Sequence, residues 1–80
     1  MSPEVFLYTR SDCELCHIMS AELEEYVRNG QLILRHVDIE GDAELTHRYG
    51  ARIPVLVSGN REICEIKLDN QALQVFLSSK

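Results

Sequence analysis

The sequence predicts an α/β domain of order βαβαββα, a mixed four-stranded sheet flanked by helices. Three observations lead there. The apolar run Val5-Phe6-Leu7-Tyr8 gives way to Cys16, Met19, Leu23, Tyr26 and Val27 at spacings of three and four, and then to a second apolar run, Leu32-Ile33-Leu34-Arg35-His36-Val37. That change of period reads strand, helix, strand. So short a span is a βαβ unit, whose strands lie parallel through a right-handed crossover. Further on, Ser58-Gly59-Asn60-Arg61 between two apolar runs reads as a tight hairpin, because Gly-Asn suits the primed turns.

The first strand covers residues 4–8. The helix after it covers about 13–28, with Ser11 and Glu14 at capping-box spacing, so that Ser11 is the expected N-cap and Cys13 lies in the first turn. Glu22, Glu24 and Glu25 fall on its solvated side, and Asn29-Gly30 supplies a left-handed stop. The second strand ends near Asp38. Asp42 caps a short helix, 43–49, in which Leu45 and Tyr49 lie one turn apart, and Gly50 closes it. Pro54 cannot donate to a ladder, so it belongs at the start of a strand whose body is Val55 to Val57. Residues 63–67 return antiparallel. Asp69 then caps a last helix with Leu73, Phe76 and Leu77 as its apolar stripe.

Eighty residues with 45% hydrophobic content form one domain, 1–80, around a modest core, with no linker, repeat or low-complexity segment. The net charge is −5 and no block of basic residues occurs, which argues against nucleic acid and against an anionic membrane surface. Met1-Ser2-Pro3 leads into the first strand without a charged leader, and no apolar run reaches spanning length, so a cytoplasmic chain is expected. In a reducing compartment Cys13, Cys16 and Cys64 point to redox chemistry or metal rather than to a structural disulfide.

Cys13-x-x-Cys16 is the chemical centre of this reading. Both sulfurs fall where a strand hands over to a helix, within reach of one another. Unpaired backbone N–H groups and the positive end of the helix dipole favour a thiolate there, and the thiolate is the reactive form. Cys13 at the tip is exposed, and Cys16, on the apolar stripe, is buried. A pair so divided works in sequence: the first sulfur attacks a disulfide and the second resolves the mixed disulfide. CxxC beside a βαβ unit is the signature of thiol redox domains. Zinc is an alternative, with Cys64 and one of His17, His36 or His47 completing the set, but no second pair has ligand spacing. Covalent haem at Cys13-Glu14-Leu15-Cys16-His17 needs a cavity that 80 residues hardly provide. Otherwise His17 is a solvent-facing helix residue. Cys64 alternates onto the same face as Ile66, as a core thiol or a third ligand.

Three segments together resemble the glutaredoxins of the thioredoxin-fold superfamily, above all the small bacterial glutaredoxin-like proteins with Cys-x-Leu-Cys. They are Leu7-Tyr8-Thr9-Arg10-Ser11-Asp12-Cys13-Glu14-Leu15-Cys16, Val37-Asp38-Ile39, and Tyr49-Gly50-Ala51-Arg52-Ile53-Pro54-Val55-Leu56. The resemblance implies a thioredoxin fold and a thiol–disulfide oxidoreductase, with Cys13 as nucleophile and Cys16 as resolving thiol. It implies that Pro54 is the cis-proline facing the pair and that Ile53 offers its backbone to substrate. It puts Arg10 at the lysine position that binds glutathione and steadies the thiolate; otherwise Arg10 is a loop cation paired with Asp12 or Glu14. Substrates would be a disulfide-containing protein or a glutathione mixed disulfide. Glutathione or a dithiol reductase would supply reducing equivalents, with no bound cofactor or metal, in a monomer serving electron transport and cell redox homeostasis. The family's Gly-Gly after the hairpin is replaced by Cys64-Glu65-Ile66-Lys67-Leu68-Asp69, and Asp69 remains to place the last helix's N-terminus near an anionic group. A module of the same fold that binds metal or protein without redox turnover is the alternative class.

Glu14-Leu15 stands where the family has Pro-Tyr, and with Asp12 it sets two carboxylates around Cys13. Like charge opposes the thiolate that the helix terminus promotes, so the pair should be more reducing than a Pro-Tyr pair. Neutralising both carboxylates in the double variant Asp12→Asn/Glu14→Gln is expected to move the midpoint of Cys13 thiolate absorbance to lower pH. An unmoved midpoint would exclude that electrostatic effect.

Overall fold

β1 (Glu4–Thr9) is the strand on which the sheet is assembled, in a computed structural model that describes residues 2–78. After it come α1 (Glu14–Arg28), β2 (Ile33–Asp38), α2 (Ala43–Tyr49), β3 (Val55–Ser58), β4 (Arg61–Glu65) and α3 (Asn70–Ser78). The sheet order is β2-β1-β3-β4. β1 pairs parallel with β2 from Glu4↔Ile33 to Thr9↔Asp38, the product of the βαβ crossover, and antiparallel with β3 at Phe6↔Val57, Leu7↔Leu56 and Tyr8↔Val55. The mixed α/β architecture is that of a thioredoxin fold.

Side-chain alternation along β1 sends successive residues to opposite faces and sorts the helices. Val5 and Leu7 face α1 and α3, where they pack with Met19, Leu23, Leu56, Leu73 and Phe76 in the larger core. Tyr8 faces the other way and joins Tyr49 and Leu45 of α2 with Val55 and Val57 in a smaller one. The bounds of α1 follow local chemistry at its end: the Gly30 N–H donates to Val27 O (3.0 Å), the Gln31 N–H to Tyr26 O (2.9 Å), and Gly30 takes φ +72°. This is a Schellman stop, which needs the left-handed conformation that glycine adopts freely. At its start the expectation is corrected. Cys13, not Ser11, is the N-cap, and the Ser11 hydroxyl instead donates to Glu40 (3.3 Å). A tight turn, in which the Cys13 N–H donates to Arg10 O (3.2 Å), ends two residues past Ser11 and carries it out of reach of the helix.

Asp42 and Asp69 cap α2 and α3 as expected, accepting from Leu45 N (3.0 Å) and Ala72 N (3.0 Å). The hairpin turns on Gly59 at φ +61°, with Ser58 opposite Arg61. β4, however, begins and ends earlier than residues 63–67. Leu56 pairs with Cys64 and Val57 with Glu62, so Ile63 is an extra residue in the ladder. The bulge breaks strict alternation. Ile63 and Cys64 therefore both pack against the larger core, while Ile66 leaves the strand and is 40% exposed. Cys64 is a half-buried thiol against the larger core, and Ile66 borders Met19 and Leu68 of that core from outside the strand.

Burial pushes the half-buried Cys64 thiol up, and the charge of Asp69 pushes the same way against a hydrogen bond from the Asp69 backbone. With Cys13 and Cys16 oxidised, alkylation of Cys64 should titrate above the ordinary thiol range of about 8.5. Because the folded chain holds that proton more tightly than the unfolded one, stability should fall as pH rises past that range. An alkylation midpoint at or below that of a free thiol would exclude the burial effect. Leu7, fully buried at the centre of the sheet, is the residue whose truncation should cost most: Leu7→Ala is expected to lose about 2–5 kcal/mol in denaturant unfolding.

Candidate active site

The chain leaves β1 at Thr9, turns through Arg10 to Asp12, and enters α1 at Cys13. Cys13 is in extended backbone as the N-cap, and its sulfur accepts the Cys16 N–H at 3.2 Å, the bond that a serine or aspartate oxygen makes at an ordinary cap. A disulfide joins it to Cys16, with the Cα atoms 5.2 Å apart. Burial divides the pair: Cys13 is half-exposed, and Cys16, on the inward face of α1, is 3% exposed. A sulfur at that cap lies where backbone donors and the helix dipole stabilise negative charge.

The β1–β3 ladder ends at Tyr8↔Val55, so the next residues outward are Thr9 on one strand and Pro54 on the other. The segment before β3 thus emerges at the same end of the sheet as the cysteine turn. The Ile53–Pro54 peptide bond is cis, Pro54 is buried, and the side chain of Ile53 packs against the Tyr8–Tyr49 cluster. Three contacts hold this segment. The Arg52 N–H donates to Tyr49 O (2.8 Å), the Ile66 N–H donates to Pro54 O (2.8 Å), and the Arg52 guanidinium donates to Glu62 (2.9 Å) and Glu65 (2.7 Å) of β4. These carboxylates hold the guanidinium firmly protonated, and Arg52 in turn draws the Glu62 carboxyl below its usual range. Beneath them Tyr8 stacks on Tyr49 with ring centroids 4.4 Å apart, and Arg48 and Arg52 each lie 5.4 Å from the Tyr49 ring centre. Burial raises the Tyr8 phenol, with the charge of Tyr49 adding to it.

Arg10 shares a cleft of about 170 Å³ with Cys16, His17, Ser20 and His36, and among the described residues it is not paired with the neighbouring acids Asp12 and Glu14. His17 is exposed and meets Ser11 O through Nε2 (3.2 Å), while His36 meets Ser20 (2.8 Å). Asp69 stands apart. Its carboxylate is engaged as the α3 cap, and it lines a shallow hollow with Cys64 and Lys67. Among the described residues no group of three or more His, Cys, Asp or Glu side chains is arranged to hold a metal ion, and no helix is long and apolar enough to cross a membrane.

Sequence reasoning missed Arg52 and Ile66. The acid-rich β4, with Glu62 and Glu65 two registers apart, was the signal for Arg52. Nothing local marks Ile66. It sits at φ +71° with the Lys67 N–H donating to Glu65 O (2.7 Å), a three-residue γ-turn in its rare left-handed form. A β-branched residue in that region is a genuine outlier.

Comparison with known proteins agrees with this fold. Protein Ne2328 from Nitrosomonas europaea is similar over 95% of this chain and 92% of its own, at 29% identity and a TM-score of 0.84. The X. campestris protein XcR50 is 31% identical over 95% of this chain and 97% of its own, with a TM-score of 0.71. Thioredoxin 1 from Thermosipho africanus, at 12% identity, 96% and 99% coverage and a TM-score of 0.62, shares the fold. No curated protein matches. The model of the glutaredoxin-like domain (DUF836) matches residues 4–78, which include the cysteine pair, the proline segment and all three helices. The chain belongs to the glutaredoxin-like domain family of thioredoxin-fold proteins.

Proposed function

We propose that this domain is a thiol–disulfide oxidoreductase that reduces protein or glutathione mixed disulfides. The carrying observation is the Cys13–Cys16 disulfide at the tip of α1, with one sulfur half-exposed and the other buried. In the reduced chain the Cys13 thiolate attacks a substrate disulfide, one substrate sulfur leaves as a thiolate and takes a proton, and a mixed disulfide remains on Cys13. Cys16 then loses its proton and attacks Cys13, releasing the second substrate thiol and closing the intramolecular bond. Two electrons pass from the pair to the substrate. Glutathione or a dithiol reductase restores the dithiol, and no bound cofactor takes part.

The Cys16 N–H and the end of α1 support the Cys13 thiolate, and Arg10 supports the transient thiolate at Cys16 from the shared cleft. Ile53 and Pro54, held from behind by Arg52 and Tyr49, form the ledge along which substrate backbone lies. Asp69 acts through the placement of the first turn of α3, since its carboxylate is already the cap. The domain works as a monomer in the cytoplasm, in electron transfer that keeps cellular thiols reduced. The alternative, a binding module without turnover, has no comparable support, because a graded pair of sulfurs is of use to exchange and not to a static contact.

Turnover on a glutathione mixed disulfide and on a protein disulfide, with native, Cys13→Ser and Cys16→Ser chains, tests the assignment. Cys13→Ser is expected to fall to the uncatalysed rate on both. Cys16→Ser should stop on the protein substrate as a trapped mixed disulfide at Cys13. Native rates in Cys13→Ser would remove the reading.

A further inference from the structure

An apolar groove of about 310 Å³ lies between α1 and the segment joining β4 to α3. It is lined by Leu15, Ile18, Met19, Ile66 and Leu68, together with the charged Glu22 and Lys67. Leu15 lies between the two cysteines in sequence, and Ile66 gives its N–H to Pro54 O, so the groove adjoins the elements that carry the cysteine pair and the proline. Leu15, Ile18 and Ile66 are 48%, 47% and 40% exposed, large aliphatic side chains that the fold leaves in water beside one another.

Ile66 is the informative member. Its position demands a left-handed residue, φ +71° in a γ-turn that also gives its N–H to Pro54 O. Glycine or asparagine satisfies that backbone without penalty, whereas isoleucine does not. Folding alone therefore gives no reason for an isoleucine here, and the side chain it presents points into the groove. Asp12 and Glu14 flank Cys13 in sequence, both exposed and, among the described residues, without an ion-pair partner. Glutathione, with two carboxylates, is a poor match to an apolar groove and to a Cys13 flanked by two acids. A polypeptide with an aliphatic side chain and a basic one near its half-cystine matches both parts.

We propose that Ile66, with Leu15 and Ile18, is the specificity element of the site: the groove takes an aliphatic side chain beside the half-cystine of a protein disulfide, and a neighbouring Lys or Arg of that partner answers Asp12 and Glu14. The inference rests on the exchange chemistry proposed above and names its substrate class. The bond changes are the same two exchanges, with the prereduced dithiol supplying both electrons.

Single-turnover kinetics with prereduced protein separate the two levels. Three peptides, each with its cysteine as a mixed disulfide with 2-nitro-5-thiobenzoate, carry Leu-Cys-Leu-Lys, Leu-Cys-Leu-Glu or Ser-Cys-Ser-Lys. Attack releases the coloured thiolate, and Cys16 then releases the peptide thiol. The native chain should favour the Leu-Lys peptide over the Ser-Lys peptide by about tenfold, the value of half-burying one aliphatic group, with the Leu-Glu peptide behind it. Ile66→Gly and Ile66→Asn both accept left-handed backbone, so both should fold, and in both the Leu-over-Ser preference should shrink. Equal rates for all three peptides on the native chain would overturn the groove's role, as would an undiminished preference in both Ile66 variants. Failure of the native chain to release thiolate from any peptide would instead overturn the exchange reading itself.

Discussion

One contact organises this molecule: the Cys16 backbone N–H on the Cys13 sulfur. A helix start needs an acceptor for its free N–H groups, and the chain supplies that acceptor with the sulfur rather than with the serine two residues earlier. The first turn of α1 and the polarisation of Cys13 are consequently the same feature. β1 makes it possible, because a strand at the centre of the sheet ends in a fixed place and the tight turn after it has little freedom. With α1 laid on the sheet through Met19 and Leu23, Cys16 has to face inward and Cys13 outward. The asymmetry that exchange chemistry uses is thus a consequence of where the helix begins and which stripe it buries.

The opposite wall is built with more parts. Pro54 follows directly on a loop, and loops hold position poorly unless something grips them. Here the grip is an arginine spanning two carboxylates of β4 over a stacked tyrosine pair. Each ion pair is exposed enough that water screens most of its worth to stability. Their use is geometric, since a planar guanidinium on two acids fixes the direction from which the segment enters β3. Tyr49 connects the ledge to α2, which explains why so short a helix is kept on that face: it carries the aromatic platform rather than much core.

The segment from Glu65 to Leu68 is where this chain sets fold stability against surface chemistry. A γ-turn around isoleucine costs on the order of 1–3 kcal/mol relative to a relaxed backbone. The strand bulge one turn earlier keeps Ile63 and Cys64 packed against the core, so the anchor of the segment is firm enough to hold the turn. A domain of 80 residues has little stability to spare. The cost falls at a loop bordering the apolar groove beside α1, where a side chain facing outward can meet something other than this chain.

By itself the sequence determined the features that depend on near neighbours. Element order, the βαβ start, the Gly30 stop, the Asp42 and Asp69 caps and the position of the cysteine pair are all set by residues within a turn or two of one another. Burial of Cys16 and Leu73 was readable for the same reason, since a helical stripe repeats within the helix. Tertiary structure decided the rest. The sulfur displaced Ser11 as cap because the turn out of β1 closes at Arg10 O, a matter of where the strand stops. Ile63 joined Cys64 against the core because Ile63 is extra in a ladder set by β3. The Arg52 clamp and the Ile66 turn join residues ten or more positions apart, through Glu62 and Pro54. Periodicity and capping report on the chain's own next turn; contacts of that separation exist only once the sheet has brought its edges together.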